Sequence, residues 1–453
     1  MMREAPFSLL PRPAPRDLRG LRVLVLGLGD SGLSAARWVE RQGGTPRVAD
    51  TRAAPPRARD YAGDLRTGPF QPALLEDADL VCLSPGLPLD APLIREAIQR
   101  KIPVLGDVEL FAWHNRRPVL AVTGTNGKTT VTSLLGHLLR TAGVDCELAG
   151  NIGPAVLAAA IARDAARPPA VWALELSSYQ LETTWSLKPQ AAAMLNVTED
   201  HLDRYAGLDE YAAAKARIFI DAGVQILNRD DRRSLAMALP EARVVTFGLD
   251  APPSAEDFGM VNGVLHRGAA ALIPASDLPI RGGHNAANAL AACALAGTFV
   301  PVEALAAGLK TFKGLPHRVA LVSTRRGVEW YDDSKGTNVG ATIAALNGLA
   351  KPAILILGGD GKGQDFAPLR APVSRFARKA LLIGRDAGLI ERALAGLPTE
   401  RCGSLEEAVE KAARDAAPGD VVLLSPACAS FDMFRDYRHR GEVFAAAVKA
   451  LPA

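Results

Sequence analysis

Three times along this 453-residue chain a short apolar run stops at a polar turn rich in glycine, and that repetition restricts the fold more than any other feature. Residues 21–26, broken only by Arg22, end at Gly27; residues 119–122 end in Thr123-Gly124-Thr125-Asn126-Gly127-Lys128; residues 353–357 end in Gly358-Gly359-Asp360-Gly361-Lys362. A near-continuous apolar run reads as a strand buried on both faces, and a polar turn followed mostly by helical sequence makes it one step of a parallel sheet. Further apolar runs at 80–83, 171–174, 191–195, 381–383 and 421–424 extend the pattern. The expected fold is α/β in three domains: a Rossmann-like domain over 1–108, a central P-loop domain with a mainly parallel sheet over 109–314, and a Rossmann-like domain over 315–453. The second division is placed at Gly314-Leu315-Pro316, where a glycine and a nearby proline end a helix-like segment.

Charge narrows the function. Lys and Arg number 52 against 49 Asp and Glu, so the net charge of +3 offers no basic field for nucleic acid or an anionic membrane. The five cysteines are scattered without a C-x-x-C pair, which indicates neither a zinc site nor a disulfide framework and fits a reducing compartment. Residues 1–21 are rich in Pro and Arg and do not read as a signal peptide. The alanine-rich runs near 155–162 and 286–296 fall short of the ~20 apolar residues that a membrane span needs, and read as buried helices. A cytoplasmic enzyme with no membrane span is expected.

The second turn is the most informative. Glycine at 124 and 127 lets backbone N–H groups face phosphate oxygens, and a helix starting near Lys128 adds its N-terminal dipole. In such a loop Lys128 neutralises the β- and γ-phosphates and the Thr129 hydroxyl reaches Mg²⁺. Val122 stands where the longer form of this loop has a glycine, so the match is to a shortened variant. The first turn, Gly27-Leu28-Gly29-Asp30-Ser31-Gly32, fits G-x-G-x-x-G, with Asp50 about twenty residues on, where a dinucleotide-binding fold holds ribose hydroxyls. Alone it suggests a nicotinamide-dependent enzyme. The physics of the turn asks only for a diphosphate, however, and the polar Thr51 and Arg52 beside Asp50 suit a base edge.

Two further strand ends carry metal-type ligands. Glu175 follows the run 171–174 and precedes Leu176-Ser177-Ser178-Tyr179, and a carboxylate facing a phosphate loop suits Mg²⁺. Asn196-Val197-Thr198-Glu199-Asp200-His201-Leu202-Asp203 follows the run 191–195, with His201 set among acids. Lys215 lies on a helical stretch and, from local sequence alone, is a solvated surface lysine.

In this order, the segments at 124–130, 175–178, 196–205, 284–289, 314–318, 333–338 and 424–430 resemble the Mur ligase family, and within it the D-glutamate-adding branch. The resemblance runs from about residue 21 to 442. It implies a nucleotide-sugar (UDP) domain, an ATPase domain and an amino-acid domain, with UDP-N-acetylmuramoyl-L-alanine, ATP and D-glutamate as substrates, two Mg²⁺ ions, and a monomer. By the same resemblance Ser31, Asp50, Thr51, Arg52, Gly86 and Asn151 contact the UDP-sugar. Gly124, Thr125, Asn126, Gly127, Lys128, Thr129, Thr130, Asn285, Asn288, Arg318 and Asp333 contact ATP. Thr129 and Glu175 serve one metal ion; His201 and Lys215 serve the other, with Lys215 as its carbamate, an anionic oxygen ligand in place of a repelling ammonium. Lys128, His201 and Lys215 are the catalytic set, and Lys335, Thr337, Lys362, Ser430 and Tyr437 contact glutamate. The family usually has Phe where Tyr437 stands and Leu where Asp30 stands. The reaction implied is phosphorylation of a carboxylate, then displacement of phosphate by an amine, giving ADP and phosphate in peptidoglycan precursor synthesis. Other readings of the residues are a different ligase of the family (folylpolyglutamate or another UDP-muramoyl-peptide ligase), a nicotinamide-dependent reductase, or a noncatalytic nucleotide switch.

Overall fold

A computed structural model describes residues 6–163, 167–201 and 204–452. Among them the strands form three sheets. The first holds five parallel strands in the order Asp64–Thr67, Thr45–Asp50, Arg22–Leu26, Leu80–Leu83, Val104–Leu105. Leu80–Leu83 is wholly buried and Arg22–Leu26 is buried beyond its exposed Arg22, as their apolar sequence requires. The second sheet runs Ala270–Pro274, Val264–Arg267, Phe258–Val261, Arg243–Phe247, Val224–Asn228, Ala191–Met194, Val119–Thr123, Val171–Glu175, Cys146–Gly150. The third runs Ala320–Arg325, Val328–Asp332, Val421–Leu424, Ala353–Gly358, Ala377–Ile383, Thr399–Arg401.

The parallel pairing follows the apolar runs, but two antiparallel stretches do not. Phe258–Val261, Val264–Arg267 and Ala270–Pro274 form a meander at the edge of the second sheet, and Ala320–Arg325 pairs antiparallel with Val328–Asp332. Their turns explain them. Asn262-Gly263 has φ of 49° and 76°, and Arg326-Gly327 has 49° and 75°. Two successive positive φ angles form the tight turn whose twist suits a hairpin. The Asn-Gly pair was a readable signal for the first hairpin; Arg-Gly is a far weaker one.

Residue 108 falls inside the helix Asp107–His114, which leads from the last strand of the first sheet into the second. One continuous core packs the first sheet against one face of the second, running from Leu24 and Leu83 through Phe111 and Trp172 to Met194. A separate core of Leu134, Leu138, Ile226, Leu290 and Leu295 lies on the opposite face of the second sheet. The third sheet keeps its own core on each face, around Leu355 and Leu423 on one side and Ile356 and Leu424 on the other. Polar contacts contribute to the junction between the second and third units. Asn338 Nδ2 donates to Asn126 Oδ1 at 3.0 Å, and Lys362 Nζ lies 3.7 Å from Asp200. No described helix is long and apolar enough to cross a membrane; the alanine-rich runs are the helices Val156–Ala162 and Gly283–Ala296.

Candidate functional site

The strand Val119–Thr123 lies between Ala191–Met194 and Val171–Glu175, so all three deliver their following loops to one edge of the sheet. Ligand sites of open parallel sheets form at such carboxyl ends. Gly124 has φ 153° and Gly127, at the N-cap of the helix Lys128–Thr141, has φ 85°. A Cβ on Gly124 would meet Leu195 Cβ at 2.9 Å, so that glycine is needed for space as well as for angle, while Gly127 is needed for its angle. The loop is clamped from behind: Thr125 N donates to Asn196 O at 2.9 Å and Asn126 N to Asn196 Oδ1 at 2.8 Å.

Two lysines converge on this loop. Lys128 Nζ donates to the carbonyls of Gly124 and Thr125 at 2.8 Å, and Lys215 Nζ donates to Gly124 O at 2.8 Å. Lys215, on the helix Leu208–Ala216, is 1% exposed, not a surface residue. Burial lowers the basicity of both; for Lys215 the neighbouring Lys128 charge adds to it and holds the amine well below its ordinary value. A buried amine that favours its neutral form is nucleophilic, which is the form that carbamate formation requires.

Glu175 faces the pair. It is 1% exposed, Asn151 Nδ2 donates to its Oε1 at 2.7 Å, and its Oε2 has no hydrogen-bond partner among the described residues. A buried carboxylate oxygen without a donor leaves its charge uncompensated, and a hard cation is the natural partner. Among the described residues no group of three or more His, Cys, Asp or Glu is close enough to enclose a metal. That donor set fits a cation that takes few protein ligands and completes its shell with phosphate and water, which is Mg²⁺ behaviour. His201 is held by a 2.8 Å hydrogen bond between its Nδ1 and the Tyr179 hydroxyl, and its Nε2 lies 3.7 Å from Asp200. Burial lowers its pKa, which favours the neutral ring that metal ligation requires. Leu202 and Asp203 of the same motif lie outside the described residues.

Two cavities meet here. The first, about 740 Å³, is lined by Ser31, Asp50, Thr51, Arg52, Gly86, Asn151, Lys128, His201 and Lys215 among others. The second, about 1070 Å³, is lined by Thr125, Asn126, Gly127, Lys128, Thr129, Thr130, Glu175, His201, Asn285, Asn288, Arg318 and Asp333, and by Lys335, Thr337, Lys362, Ser430 and Tyr437 from the third unit. Lys128, Asn151, Ile152, His201 and Arg438 line both. Gly124 lines neither, although its carbonyl joins the two lysines.

In the first cavity both Asp50 oxygens are occupied. Leu28 N and Arg52 Nη2 donate to Oδ2 at 2.7 and 2.6 Å, and Arg52 N and Nε donate to Oδ1 at 2.9 and 2.8 Å. The Arg52 guanidinium, with the backbone donors, holds this carboxyl down at about 2. A ribose diol would have to displace Arg52, which weighs against the nicotinamide reading. In the second cavity Asn285 Nδ2 donates to Arg281 O at 2.8 Å and Asn288 Nδ2 to Asn285 Oδ1 at 3.3 Å. Burial pushes Asp333 up to about 7 despite a 2.7 Å hydrogen bond from Ser425. Burial, with Arg318 and Lys128 nearby, lowers Lys335 to about 8, and its Nζ sits 4.1 Å from the centre of the Tyr437 ring.

The sequence reading missed several groups. Arg440 is fully buried and its guanidinium donates to Ser334 Oγ, Ser334 O and Cys428 O at 2.9, 2.8 and 3.1 Å, tying the loop of Lys335 to the loop of Ser430. In a stretch that also contains Arg435, Arg438 and His439, nothing local distinguishes it from a surface cation. Tyr179 and Asp200 lay inside noted motifs, but only the fold shows which atoms they hold.

The family descriptions that match are "Mur ligase MurD-like, N-terminal domain" over residues 21–106, "Mur ligase middle domain" over 122–296, and "Mur ligase, glutamate ligase domain" over 317–428. The UDP-N-acetylmuramoylalanine–D-glutamate ligase of Thiobacillus denitrificans is 54% identical, with 96% of this chain and 98% of that protein aligned. The protein of the same name from Methylobacillus flagellatus is 53% identical, over 96% of this chain and 98% of its own length. Among solved structures, MurF of Acinetobacter baumannii aligns with a TM-score of 0.61 at 18% identity, over 94% of this chain and 93% of its own. The UDP-N-acetylmuramate–alanine ligase of Thermotoga maritima aligns at 0.58 and 18%, over 95% and 99%. These two share the fold. With three domain descriptions in order and half the residues identical to full-length relatives, the chain belongs to the Mur ligase family.

Proposed function

We infer that this chain is an ATP-dependent ligase that joins D-glutamate to UDP-N-acetylmuramoyl-L-alanine, forming ADP and phosphate in peptidoglycan precursor synthesis. The observation that carries the reading is the junction of the two cavities at Lys128, Asn151 and His201. There a carboxylate from the first cavity can meet a terminal phosphate from the second.

Residues 1–108 take the UDP-sugar through Ser31, Asp50, Thr51, Arg52 and Gly86, with Asn151 at the junction. Residues 109–314 take ATP on the loop Gly124–Thr130, with Asn285 and Asn288 beside the nucleotide and Arg318 and Asp333 closing over it. Residues 315–453 take glutamate through Lys335, Thr337, Lys362, Ser430 and Tyr437. Thr129, Glu175, His201 and carbamylated Lys215 hold two Mg²⁺ ions, which supply charge neutralisation at the phosphates. The nucleotide-linked substrates favour the cytoplasm, and a monomer is the proposed working unit.

A carboxylate is a poor electrophile, so it must first accept the γ-phosphoryl group. Lys128 stabilises the charge on that group as it moves, in a site where burial strengthens the interaction. The acyl carbon of the resulting acyl phosphate is attacked by the glutamate amine. The C–N bond forms, the amine loses its proton, and the C–O bond breaks to release phosphate. Lys335 and Lys362 orient the glutamate carboxylates, and the third unit excludes water while the acyl phosphate exists. Mass spectrometry of the product from UDP-N-acetylmuramoyl-L-alanine, ATP and each glutamate enantiomer tests the reading. Addition of one D-glutamate is expected; product formed only with L-glutamate, or with neither enantiomer, would overturn it.

A further inference from the structure

The first cavity is built almost entirely by the first two units. Among the described residues, every one that lines it lies at or before position 215, except one. That one is Arg438, in the first turn of the helix Tyr437–Ala450 of the third unit, and it lines the second cavity as well. Arg438 is exposed, makes no ion pair among the described residues, and lies with its guanidinium carbon 5.5 Å from the centre of the Tyr437 ring. Its companions at the junction include Lys128, with Lys215 beside it on the first-cavity side and Lys335 on the second. An exposed guanidinium at the edge of both cavities, with no acid paired to it among the described residues, is available to an arriving anion.

We propose that Arg438 is a substrate contact: a guanidinium that the third unit delivers into the first cavity to pair with an oxyanion of the nucleotide-sugar. The inference rests on the reading of the first cavity as the UDP-sugar site. Guanidinium offers the planar fork that pairs with carboxylate or phosphate oxygens. The anion comes either from the diphosphate or from the terminal carboxylate, the chemistry being the same. The consequence is coupling. Because the contact comes from the third unit, a filled first cavity draws that unit onto the second before glutamate is bound, and the same interaction free energy works in both directions.

Titration calorimetry of the full chain with UDP-N-acetylmuramoyl-L-alanine and with UDP alone, without turnover, tests it. For R438A the dissociation constant for the nucleotide-sugar is expected to rise about tenfold, with R438K intermediate. R435A removes the same charge just before that helix, at a position lining neither cavity, and is expected to bind as the wild type does. A loss seen equally with UDP places the contact at the diphosphate; a loss confined to the full substrate places it at the carboxylate. Unchanged affinity in R438A, or an equal loss in R435A, overturns the proposal while leaving the proposed activity standing. Failure of the wild type to bind the nucleotide-sugar at all would instead overturn the reading of the cavity.

Discussion

The two glycine-rich turns at Gly27–Gly32 and Gly124–Lys128 use the same backbone device for different ends. Each follows a buried parallel strand and opens a helix, Asp30–Arg41 in the first and Lys128–Thr141 in the second. Each therefore presents N–H groups and a helix dipole to an anion. What differs is the surrounding charge. Around the first turn, cations are spent on the protein's own acids: Arg52 on Asp50, and Arg57 on Asp30 at 2.6 Å. Around the second, among the described residues, Lys128 and Lys215 donate only to carbonyls of the loop, and Glu175 Oε2 has no donor. A turn whose charges are already satisfied can bind a diphosphate; a turn holding uncompensated charge in a buried setting can also stabilise charge that develops during a reaction.

The largest effect should come from breaking the second turn. Lys128→Ala is expected to lower kcat by about 10³-fold or more, read by single-turnover phosphoryl transfer; near-normal transfer would remove the distinction between the turns. Next, Lys215→Ala should be almost inactive and regain part of its activity with acetate or formate, which can stand in for a carbamate. A fully active variant would take Lys215 out of the mechanism. The first turn should respond differently. A Cβ at Gly32 would collide with the Gly27 carbonyl, so Gly32→Ala should cost on the order of 3 kcal/mol of stability and weaken UDP-sugar binding. ADP affinity of the folded fraction should stay unchanged; an equal loss of both ligands would mean that the turns are not independent. The smallest effect concerns pH. Lys335 is cationic below about 8, so affinity for glutamate should be full below that value and decline as pH rises through it. A Michaelis constant for glutamate that stays flat from pH 7 to 9 would show that Lys335 keeps its proton or does not meet the carboxylate.

The contrast between the turns was only partly legible in the sequence. Both loops, their strands and the start of the helix at Lys128 could be read, because apolar runs and glycines act locally. Glu175 could be placed at a strand end, but not its unpartnered oxygen, which depends on Asn151 arriving from a different strand end. Lys215 looked like a surface lysine, since its burial comes from packing against a loop 91 residues away. The occupation of Asp50 by Arg52 was likewise hidden: the spacing suits a ribose acid, and only the side-chain geometry shows the carboxylate engaged. At the first division the reading met a helix, Asp107–His114, because the first and second sheets share a core and no exposed linker marks the passage.

The central claim is that a phosphoryl group is transferred to the substrate's acid before nitrogen displaces it. Turnover of UDP-N-acetylmuramoyl-L-alanine carrying heavy oxygen in its alanyl carboxylate tests this directly, by mass analysis of the released orthophosphate. The mechanism predicts that one heavy oxygen leaves with each phosphate. Orthophosphate free of the label, formed alongside the amide product, would contradict it.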